Sequence, residues 1–227
     1  MTVAVVTGAG RGIGRAIAVA LASRGLDVAL LARTASELDE TASRVVALGQ
    51  RALAIPCDVT RASEVERARD AITKGLGVPG VLVNNAGVVK RARVEDTTEV
   101  DWDYVLNVNL KGIFLVTRAF LPFMRAANAG RIVAIASISA TLGTAEQAAY
   151  CASKWGVVGF MKSLAEELRG TAVVATWVLP GSVDTQMLDR SRFHPQMSPE
   201  DVANVVTYAA LDAPAAIHGS AIEVFGS

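Results

Sequence analysis

The chain has 227 residues, of which 52% are hydrophobic and 19% are charged, and its 22 basic residues equal its 22 acidic residues. This length predicts one large α/β domain, residues 1–227, with a sizeable apolar core. A net charge of zero argues against nucleic acid or an anionic membrane as the main partner, because both need a basic excess.

The cysteines and histidines indicate no metal site. Cys57 and Cys151 lack C-x-x-C spacing, and neither His194 nor His218 lies in a metal-binding pattern. We therefore expect a reduced, cytoplasmic protein without a metal. No basic leader precedes the first apolar run, and no apolar run approaches the ~18 residues of a membrane span, so we also expect no membrane.

Short apolar runs alternate with amphipathic stretches along the whole chain. The runs predict strands at 3–6, 28–31, 52–55, 81–83, 131–136, 172–178 and 221–225. The stretches between them predict helices at 12–24, 36–48 (with Ser36 as the N-cap), 61–73, 102–124, 148–169 and 199–211. Because continuous apolar strands are covered on both faces, this alternation predicts a single-domain, Rossmann-like, doubly wound parallel sheet of about seven strands.

The segment TGAGRGIG, residues 7–14, leaves the first predicted strand and opens the first predicted helix. Glycines at 8, 12 and 14 allow the backbone to approach a diphosphate, whose charge then lies on the first N–H groups of the helix. The spacing is T-G-x-x-x-G-x-G, with Ile13 where G-x-G-x-x-G needs glycine. Its place at the start of a βαβ chain predicts dinucleotide binding.

One long irregular stretch, residues 180–198, follows the sixth predicted strand. Loops of this length in compact domains are often lids, so we predict a substrate lid at 186–198. The lid interleaves apolar side chains with arginines, namely Met187, Leu188, Phe193 and Met197 with Arg190 and Arg192. The basic residues Lys90, Arg91 and Arg93 either approach the mouth of the same pocket or belong to the solvated surface.

Tyr150 and Lys154 lie four residues apart on a predicted helix of small residues, AAYCASKWG (148–156). Positions i and i+4 share one helix face, so the ammonium is expected beside the phenol. An opposite charge within ~4–6 Å can lower a pKa by ~1–3 units, which would bring the phenol towards the pKa of a proton donor at neutral pH. The spacing alone leaves open a solvated tyrosine–lysine pair.

Two further polar residues are candidates for the same site. Ser137 ends the fifth predicted strand, where doubly wound sheets bind ligands, and its hydroxyl could hold a substrate oxygen. Ser139 is the rival, and an ordinary turn serine is the plain alternative. Asn109 falls inside a predicted helix, where asparagine is a poor helix former, and a buried polar residue is its alternative.

In this order, TGAGRGIG, NNAG (84–87), Asn109, Ser137 and the run from Tyr150 to Lys154 resemble the short-chain dehydrogenase/reductase family. The resemblance is to its single-domain branch, which includes 3-oxoacyl-carrier-protein reductases and carbonyl reductases. It runs from residue 2 to the C-terminus. The chain departs from the pattern after residue 186, where it is shorter than typical carrier-protein reductases, and this leaves the substrate open.

The resemblance implies a catalytic set of Asn109, Ser137, Tyr150 and Lys154. Ser137 would hold the substrate oxygen while Tyr150 acts as the general acid. Lys154 would also bind the nicotinamide ribose, and Asn109 would support a water that links the lysine to solvent.

The resemblance also implies a path for the cofactor. Asn84 and Ala86 would line the adenine and ribose path, and residues 180–185 would hold the nicotinamide carboxamide. Asp58 resembles the residue that contacts adenine, but it could equally be the N-cap of the next helix. The predicted cofactor contacts are Gly8, Gly10, Arg11, Gly12, Ile13, Gly14, Arg33, Thr34, Asp58, Val59, Asn85, Ala86, Gly87, Tyr150, Lys154, Pro180, Gly181, Val183 and Thr185.

The second predicted strand lacks the residue that selects NAD(H). In dinucleotide-binding folds an Asp or Glu at the end of this strand binds the ribose 2′-hydroxyl, and it would repel a 2′-phosphate. Ala32 takes that position, Arg33 follows, and Arg11 lies within the glycine turn. Two guanidiniums can hold a phosphate through charge-assisted bonds, so we predict NADP(H). The alternative is that both arginines are exposed surface residues.

These observations together predict an NADPH-dependent oxidoreductase that reduces a ketone or aldehyde to an alcohol, of the 3-oxoacyl or small-carbonyl reductase type. One alternative is an alcohol, sugar or steroid dehydrogenase that acts oxidatively with Tyr150 as the base. Another is a non-catalytic, NADP-sensing binding protein. An epimerase of the extended branch is disfavoured, because T-G-x-x-G-x-x-G and a longer C-terminal domain are absent.

A homotetramer is the expected assembly. The predicted helices 102–124 and 148–169 carry more large apolar residues than one sheet face can cover, and by resemblance such helices pair in a four-helix bundle. The residues concerned are Phe114, Leu115, Phe120, Phe160, Met161 and Leu164. An acyl-carrier partner would need a basic rim at the ends of these two helices. Arg125 and Arg169 lie there, and they support this partner only weakly.

Overall fold

Seven parallel strands form one hydrogen-bonded sheet in the computed structural model, which describes residues 3–189, 191 and 193–226. The strands are β1 Val3–Thr7, β2 Asp27–Ala32, β3 Ala52–Pro56, β4 Val81–Asn84, β5 Gly130–Ile135, β6 Val173–Pro180 and β7 Ala221–Val224. Their order is β3-β2-β1-β4-β5-β6-β7. This confirms the predicted doubly wound sheet, and it places the reversal of strand order between β1 and β4.

Helices connect the strands and cover both faces of the sheet. They are α1 Gly12–Ser23, α2 Ala35–Ala47, α3 Ala62–Gly75, α4 Glu99–Leu106, α5 Gly112–Ala126, α6 Ala148–Leu168 and α7 Pro199–Thr207. A π-helical turn, Asn107–Lys111, joins α4 to α5, and a second, Tyr208–Asp212, extends α7. The long helix that we predicted at 102–124 is therefore widened in its middle, and such π-turns often occur at functional sites.

The two large apolar clusters of the core lie one on each sheet face, and a small third cluster contains Val105, Ala149 and Tyr150. Residues of α3, α5 and α6, such as Phe120 and Met161, pack on one face. Residues of α1, α2 and α7, such as Ile17, Leu38 and Val206, pack on the other. Strands covered on both faces have no polar side, which explains their continuous apolar sequences.

The N-caps of α2 and α3 differ from those that the sequence suggested. Ser36 is not the N-cap of α2, because the helix begins one residue earlier at Ala35, after Thr34. The N-cap of α3 is Arg61, not Asp58. Instead, one carboxylate oxygen of Asp58 accepts hydrogen bonds from the backbone N–H and hydroxyl of Thr60, at 3.0 and 2.8 Å, and so closes a turn before the helix.

The apolar surface expected to drive assembly is smaller than predicted. Four of the six residues are buried in the core of the single chain, namely Leu115, Phe120, Met161 and Leu164. Phe114 is 42% exposed and meets the half-buried Phe160 edge-to-face, with ring centres 6.4 Å apart. Trp155 on α6 is 54% exposed. The sequence argument was therefore wrong for four residues, because α5 and α6 bury more of their surface against the sheet than we assumed.

The helical stretch Glu99–Ala126 is long and apolar enough to cross a membrane by length and composition. Over half of its most apolar window is buried inside the protein, and core helices pass the same test. Phe120 and Met124 from this stretch pack against the sheet. We therefore interpret it as a core helix.

Candidate active site

The glycine turn lies between β1 and α1, at the carboxyl edge of the sheet. Gly8 and Gly12 have φ angles of +64° and +52°, in the left-handed region that favours glycine. A Cβ on Gly14 would collide with the carbonyl oxygen of Gly8. The Asn85 amide holds this turn by donating to the carbonyls of Thr7 and Gly8, at 2.9 and 3.3 Å.

This turn fits the diphosphate of a dinucleotide. A side chain at Gly8 would collide with the backbone of Ala86, so only glycine allows the chain to turn this tightly before the first N–H groups of α1, where the helix N-terminus stabilises an anion. The turn also borders the point where strand order reverses, which is the ligand-binding position of open α/β sheets.

A cavity of about 1040 Å³ opens at the same edge of the sheet. Every predicted cofactor contact lines it, from the glycine turn to Thr185, and so do Ser137 and Ser139. Asn109 does not line the cavity. The sequence therefore selected residues from seven separate segments that the fold brings to one cavity.

Asn84 does not line the cavity, contrary to the sequence interpretation. Its side chain is only 1% exposed and donates to the hydroxyl of Thr117 on α5 at 2.9 Å. Successive residues of a strand point to opposite faces, so Asn84 faces the helix layer. Its neighbour Asn85 lines the cavity instead.

Ser137 and Tyr150 face each other in the cavity. Ser137 lies after β5 and Tyr150 lies in the first turn of α6, yet the serine side chain is close enough to lower the pKa of the phenol. The Ser137 hydroxyl also accepts from the backbone N–H of Ser139 at 3.1 Å. The Ser139 hydroxyl is 3.5 Å from that of Thr144, and of the two candidate serines Ser137 is the one that acts on the pKa of Tyr150.

The pKa of Tyr150 is raised rather than lowered. Burial has the largest effect and disfavours the phenolate, while the hydrogen bond with Ser137 and the charge of Arg91 act in the opposite direction. The sequence had suggested that Lys154 lowers this pKa. Its ammonium instead lies 5.7 Å from the centre of the Tyr150 ring and donates to the carbonyl of Ile135 at 2.8 Å. Burial lowers the pKa of Lys154 to about 8.

Asn109 lies within the π-turn Asn107–Lys111 and is fully buried. Its side chain accepts from the N–H of Val88 at 2.8 Å and donates to the carbonyl of Val88 and the hydroxyl of Ser153, both at 2.9 Å. The Ser153 hydroxyl in turn donates to the carbonyl of Tyr150 at 2.6 Å. Asn109 thus connects the segment after β4 to the helix of the candidate acid, and Ser153 is a link that sequence reasoning missed.

The corner of the cavity after β2 contains two arginines and an acid. Arg33 donates to the hydroxyl of Tyr104 at 3.2 Å. Arg11 lies 3.4 Å from a carboxylate oxygen of Glu37 and donates to the side chain of Gln186 at 2.5 Å. Glu37, in the first turn of α2, lines the cavity and was missed from the sequence. An acid is therefore present near this corner although Ala32 occupies the usual acidic position.

The predicted lid is largely irregular, with one isolated bridge between Val183 and Met197. Met187, Leu188 and Phe193 line the cavity, whereas Met197 is buried. The predicted lid residues Arg190 and Arg192 lie outside the described residues. Among residues 3–189, 191 and 193–226, no group of three or more His, Cys, Asp or Glu side chains is placed to hold a metal ion.

The basic cluster after β4 divides into residues inside and outside the cavity. Lys90 lines it and pairs with Asp101 at 2.9 Å. Arg91 also lines it and donates to the lid carbonyls of Met187 and Asp189, at 2.7 and 3.2 Å. Arg93 is exposed and is not part of the lining.

Known proteins are similar to this chain in both sequence and fold. The short chain dehydrogenase family model matches residues 2–196. A 3-oxoacyl-[acyl-carrier-protein] reductase of Synechocystis sp. is 35% identical, over 99% of this chain and 95% of the relative. D-threitol dehydrogenase of Mycolicibacterium smegmatis is also 35% identical, over 99% of this chain and 91% of the relative.

The solved structure of levodione reductase superposes with a TM-score of 0.93 at 27% identity, covering 98% of this chain and 95% of that one. With the family match, these similarities extend over nearly the whole chain, including the glycine turn and the helix of Tyr150. The chain therefore belongs to the short-chain dehydrogenase family and is an oxidoreductase of that family.

Proposed function

We propose that this protein reduces a ketone or aldehyde to an alcohol with NADPH, using Tyr150 as the general acid. The observation that carries this proposal is that Ser137, Tyr150 and Lys154 line one cavity together with the glycine turn. A nicotinamide bound in this cavity would supply the hydride to the carbonyl carbon.

The side chains of this cavity account for the remaining chemistry. The hydroxyls of Ser137 and Tyr150 hydrogen-bond the carbonyl oxygen, and Tyr150 gives it a proton as negative charge develops there. Burial raises the pKa of Tyr150, so the phenol keeps its proton at neutral pH and is ready to act as an acid. Lys154, with a pKa of about 8, is still mainly cationic at neutral pH and stabilises negative charge on the phenol oxygen.

The raised pKa of Tyr150 keeps the phenol in the protonated form that carbonyl reduction needs. A base must lose its proton before it can act, and a buried tyrosine with a raised pKa resists this. The alternative, an alcohol or sugar dehydrogenase with Tyr150 as the base, is supported by the similarity to D-threitol dehydrogenase. A sensor without turnover has no use for the Ser137–Tyr150 pair.

The preference for NADPH rests on Arg11 and Arg33. Both line the corner of the cavity after β2. Ala32, at the end of β2, places an uncharged side chain where NAD(H)-binding folds have an acid. Glu37 opposes this preference, so a bound 2′-phosphate would have to replace Glu37 as the partner of Arg11. Charge-assisted bonds from two guanidiniums would compensate for that exchange.

We propose that the chain assembles as a tetramer and acts in the cytoplasm. The exposed aromatic side chains of Phe114 and Trp155 support assembly, because they lie on α5 and α6, the two helices expected to pair between subunits. Light scattering at micromolar concentration tests it, with a tetramer expected for the wild type and smaller species for a Phe114→Asp/Trp155→Glu variant. A monomeric wild type would contradict assembly.

The function is tested by following nicotinamide absorbance with a panel of carbonyl compounds. The panel contains acetoacetyl thioesters, diketones, aryl ketones, oxo acids with their methyl esters, and sugars, each with NADPH and with NADH. We expect consumption of NADPH with at least one carbonyl class. If only the corresponding alcohols react, with the oxidised cofactor, the oxidative alternative is correct. If nothing reacts in either direction, the proposal is wrong.

A further inference from the structure

The backbone of Arg91 is fastened beside the helix that carries Tyr150. The N–H of Ala92 donates to the carbonyl of Glu146 at 2.9 Å, and Ala92 forms a parallel bridge with Gln147. Gln147 immediately precedes α6, so Arg91 is held close to the first turn of that helix. Its charge is near enough to act on the pKa of Tyr150, against the larger effect of burial.

The guanidinium of Arg91 has donors that the protein does not use. An arginine carries five N–H donors in a planar fork. One from each terminal nitrogen is accounted for by the lid carbonyls of Met187 and Asp189. The Nε atom is buried and finds no acceptor among the described residues. Each terminal nitrogen keeps a second N–H without an acceptor among the described residues, and because Arg91 lines the cavity these donors are available to a ligand.

The charge of Arg91 is also unbalanced. Two neighbouring cations of the cavity have partners, since Arg11 lies 3.4 Å from Glu37 and Lys90 lies 2.9 Å from Asp101. No carboxylate lies within 4.0 Å of the Arg91 nitrogens in the part of the chain that the structure describes. The cavity therefore contains an uncompensated guanidinium on the side where Tyr150 would meet the substrate.

From these observations we infer that Arg91 binds a carboxylate of the substrate, so that the enzyme reduces oxo acids to hydroxy acids. The edge of a guanidinium matches the two oxygens of a carboxylate, and one positive charge balances one negative charge. A phosphate dianion would need a second cation, and Lys90, the neighbouring basic residue, is already neutralised by Asp101. This inference rests on the proposed function and names the substrate class of the same cavity.

The test compares oxo acids with their neutral methyl esters. Acetoacetate, 2-oxobutanoate and levulinate, each with its ester, would be assayed with the wild type and with the Arg91→Gln, Arg91→Lys and Arg93→Gln variants. The readout is the ratio of kcat/KM for each acid to kcat/KM for its ester. Loosening of the lid or a changed pKa of Tyr150 would alter both substrates alike and would leave this ratio unchanged.

We expect the wild type to favour at least one acid over its ester. Arg91→Gln should lower that ratio about 30-fold or more, mainly through KM for the acid, because it removes the charge partner of the carboxylate. Arg91→Lys should restore part of the ratio, and the exposed control Arg93→Gln should not change it. Butanoate should inhibit ester reduction competitively in the wild type and not in Arg91→Gln.

Two results separate this inference from the proposed function. If the wild type reduces neutral carbonyl compounds but shows no preference for any acid, or if Arg91→Gln leaves the ratio unchanged, the carboxylate inference is wrong and the proposed function stands. If no carbonyl compound of any class is reduced, the proposed function fails and the inference fails with it.

Discussion

The ammonium of Lys154 lies over the ring of Tyr150, 5.7 Å from its centre, and donates a hydrogen bond to the carbonyl of Ile135 at 2.8 Å. Both side chains are at least nine-tenths buried. Burial acts on the two groups in the same sense, because it favours a neutral phenol and a neutral amine. The pair is therefore a protonated acid beside a cation that burial makes easier to deprotonate.

We predict that replacing Lys154 stabilises the protein while abolishing most turnover. The folded pKa of about 8 lies below the ordinary 10.5, so the buried charge costs about 3 kcal/mol below pH 8. Lys154→Met removes this cost but loses about 1 kcal/mol of hydrogen bonding to Ile135. Urea unfolding at pH 7 should show a net gain of about 2 kcal/mol.

The sign of this effect gives a pH test. Between pH 8 and 10.5 the unfolded chain binds the lysine proton more than the folded chain does, so wild-type stability should rise with pH relative to Lys154→Met. The advantage of the variant should therefore disappear by about pH 10.5. A variant that is less stable than wild type at pH 7 would contradict the buried charge.

We predict that Glu37 weakens binding of a 2′-phosphate. Wild-type kcat/KM should be higher with NADPH than with NADH, and Arg33→Ala should reduce the NADPH value about 10–100-fold, as for a lost charge-assisted bond. Glu37→Gln should raise the preference for NADPH, because it frees Arg11. Asp39→Asn removes one negative charge from the same helix, outside the cavity, and is the matched control.

The preference should also be reversible by substitution at the end of β2. Ala32→Asp combined with Arg33→Ala should shift the preference towards NADH, since the new carboxylate would bind the ribose hydroxyl and repel a phosphate. Equal or better kcat/KM with NADH in the wild type would refute the cofactor proposal. A double variant that does not shift would show that the phosphate is held elsewhere.

We predict that Asn109 positions the helix of the candidate acid. Asn109→Ala would leave the half-buried N–H and carbonyl of Val88 without their partner and would remove the hydrogen bond donated to the buried hydroxyl of Ser153. The cost should be about 2–4 kcal/mol in urea unfolding, and kcat should fall more than KM changes. Asn204→Ala, at an exposed position on α7, should stay within about 0.5 kcal/mol. Equal effects of the two substitutions would show that Asn109 has no special role.

Local patterns were enough to predict the fold. The apolar runs and the glycine turn depend on residues close in sequence, so all seven strands were found within about two residues of their bounds. The orientation of the two asparagines in NNAG could not be predicted from such local patterns. Whether Asn84 or Asn85 faces the cavity depends on the last residue of β4, and the predicted strand ended one residue early.

Contacts between distant segments could not be predicted from the sequence. Arg91 meets Met187 and Asp189, which are 96 and 98 residues away along the chain. Glu37 reaches the cavity because the first turn of α2 follows the carboxyl end of β2, whereas the rule for this acid considers only the strand end. The raised pKa of Tyr150 comes from burial, and an i,i+4 spacing in the sequence does not predict how deeply the side chain is buried.

The central claim is that Tyr150 donates the proton, and the Tyr150→Phe variant tests it most directly. Removing the hydroxyl should leave cofactor affinity unchanged by calorimetry and should lower kcat about 10²–10⁴-fold, as expected for loss of a general acid. Tyr208→Phe, at a 49% exposed tyrosine, should keep wild-type turnover. A Tyr150→Phe enzyme that binds the cofactor and turns over at the wild-type rate would contradict the account.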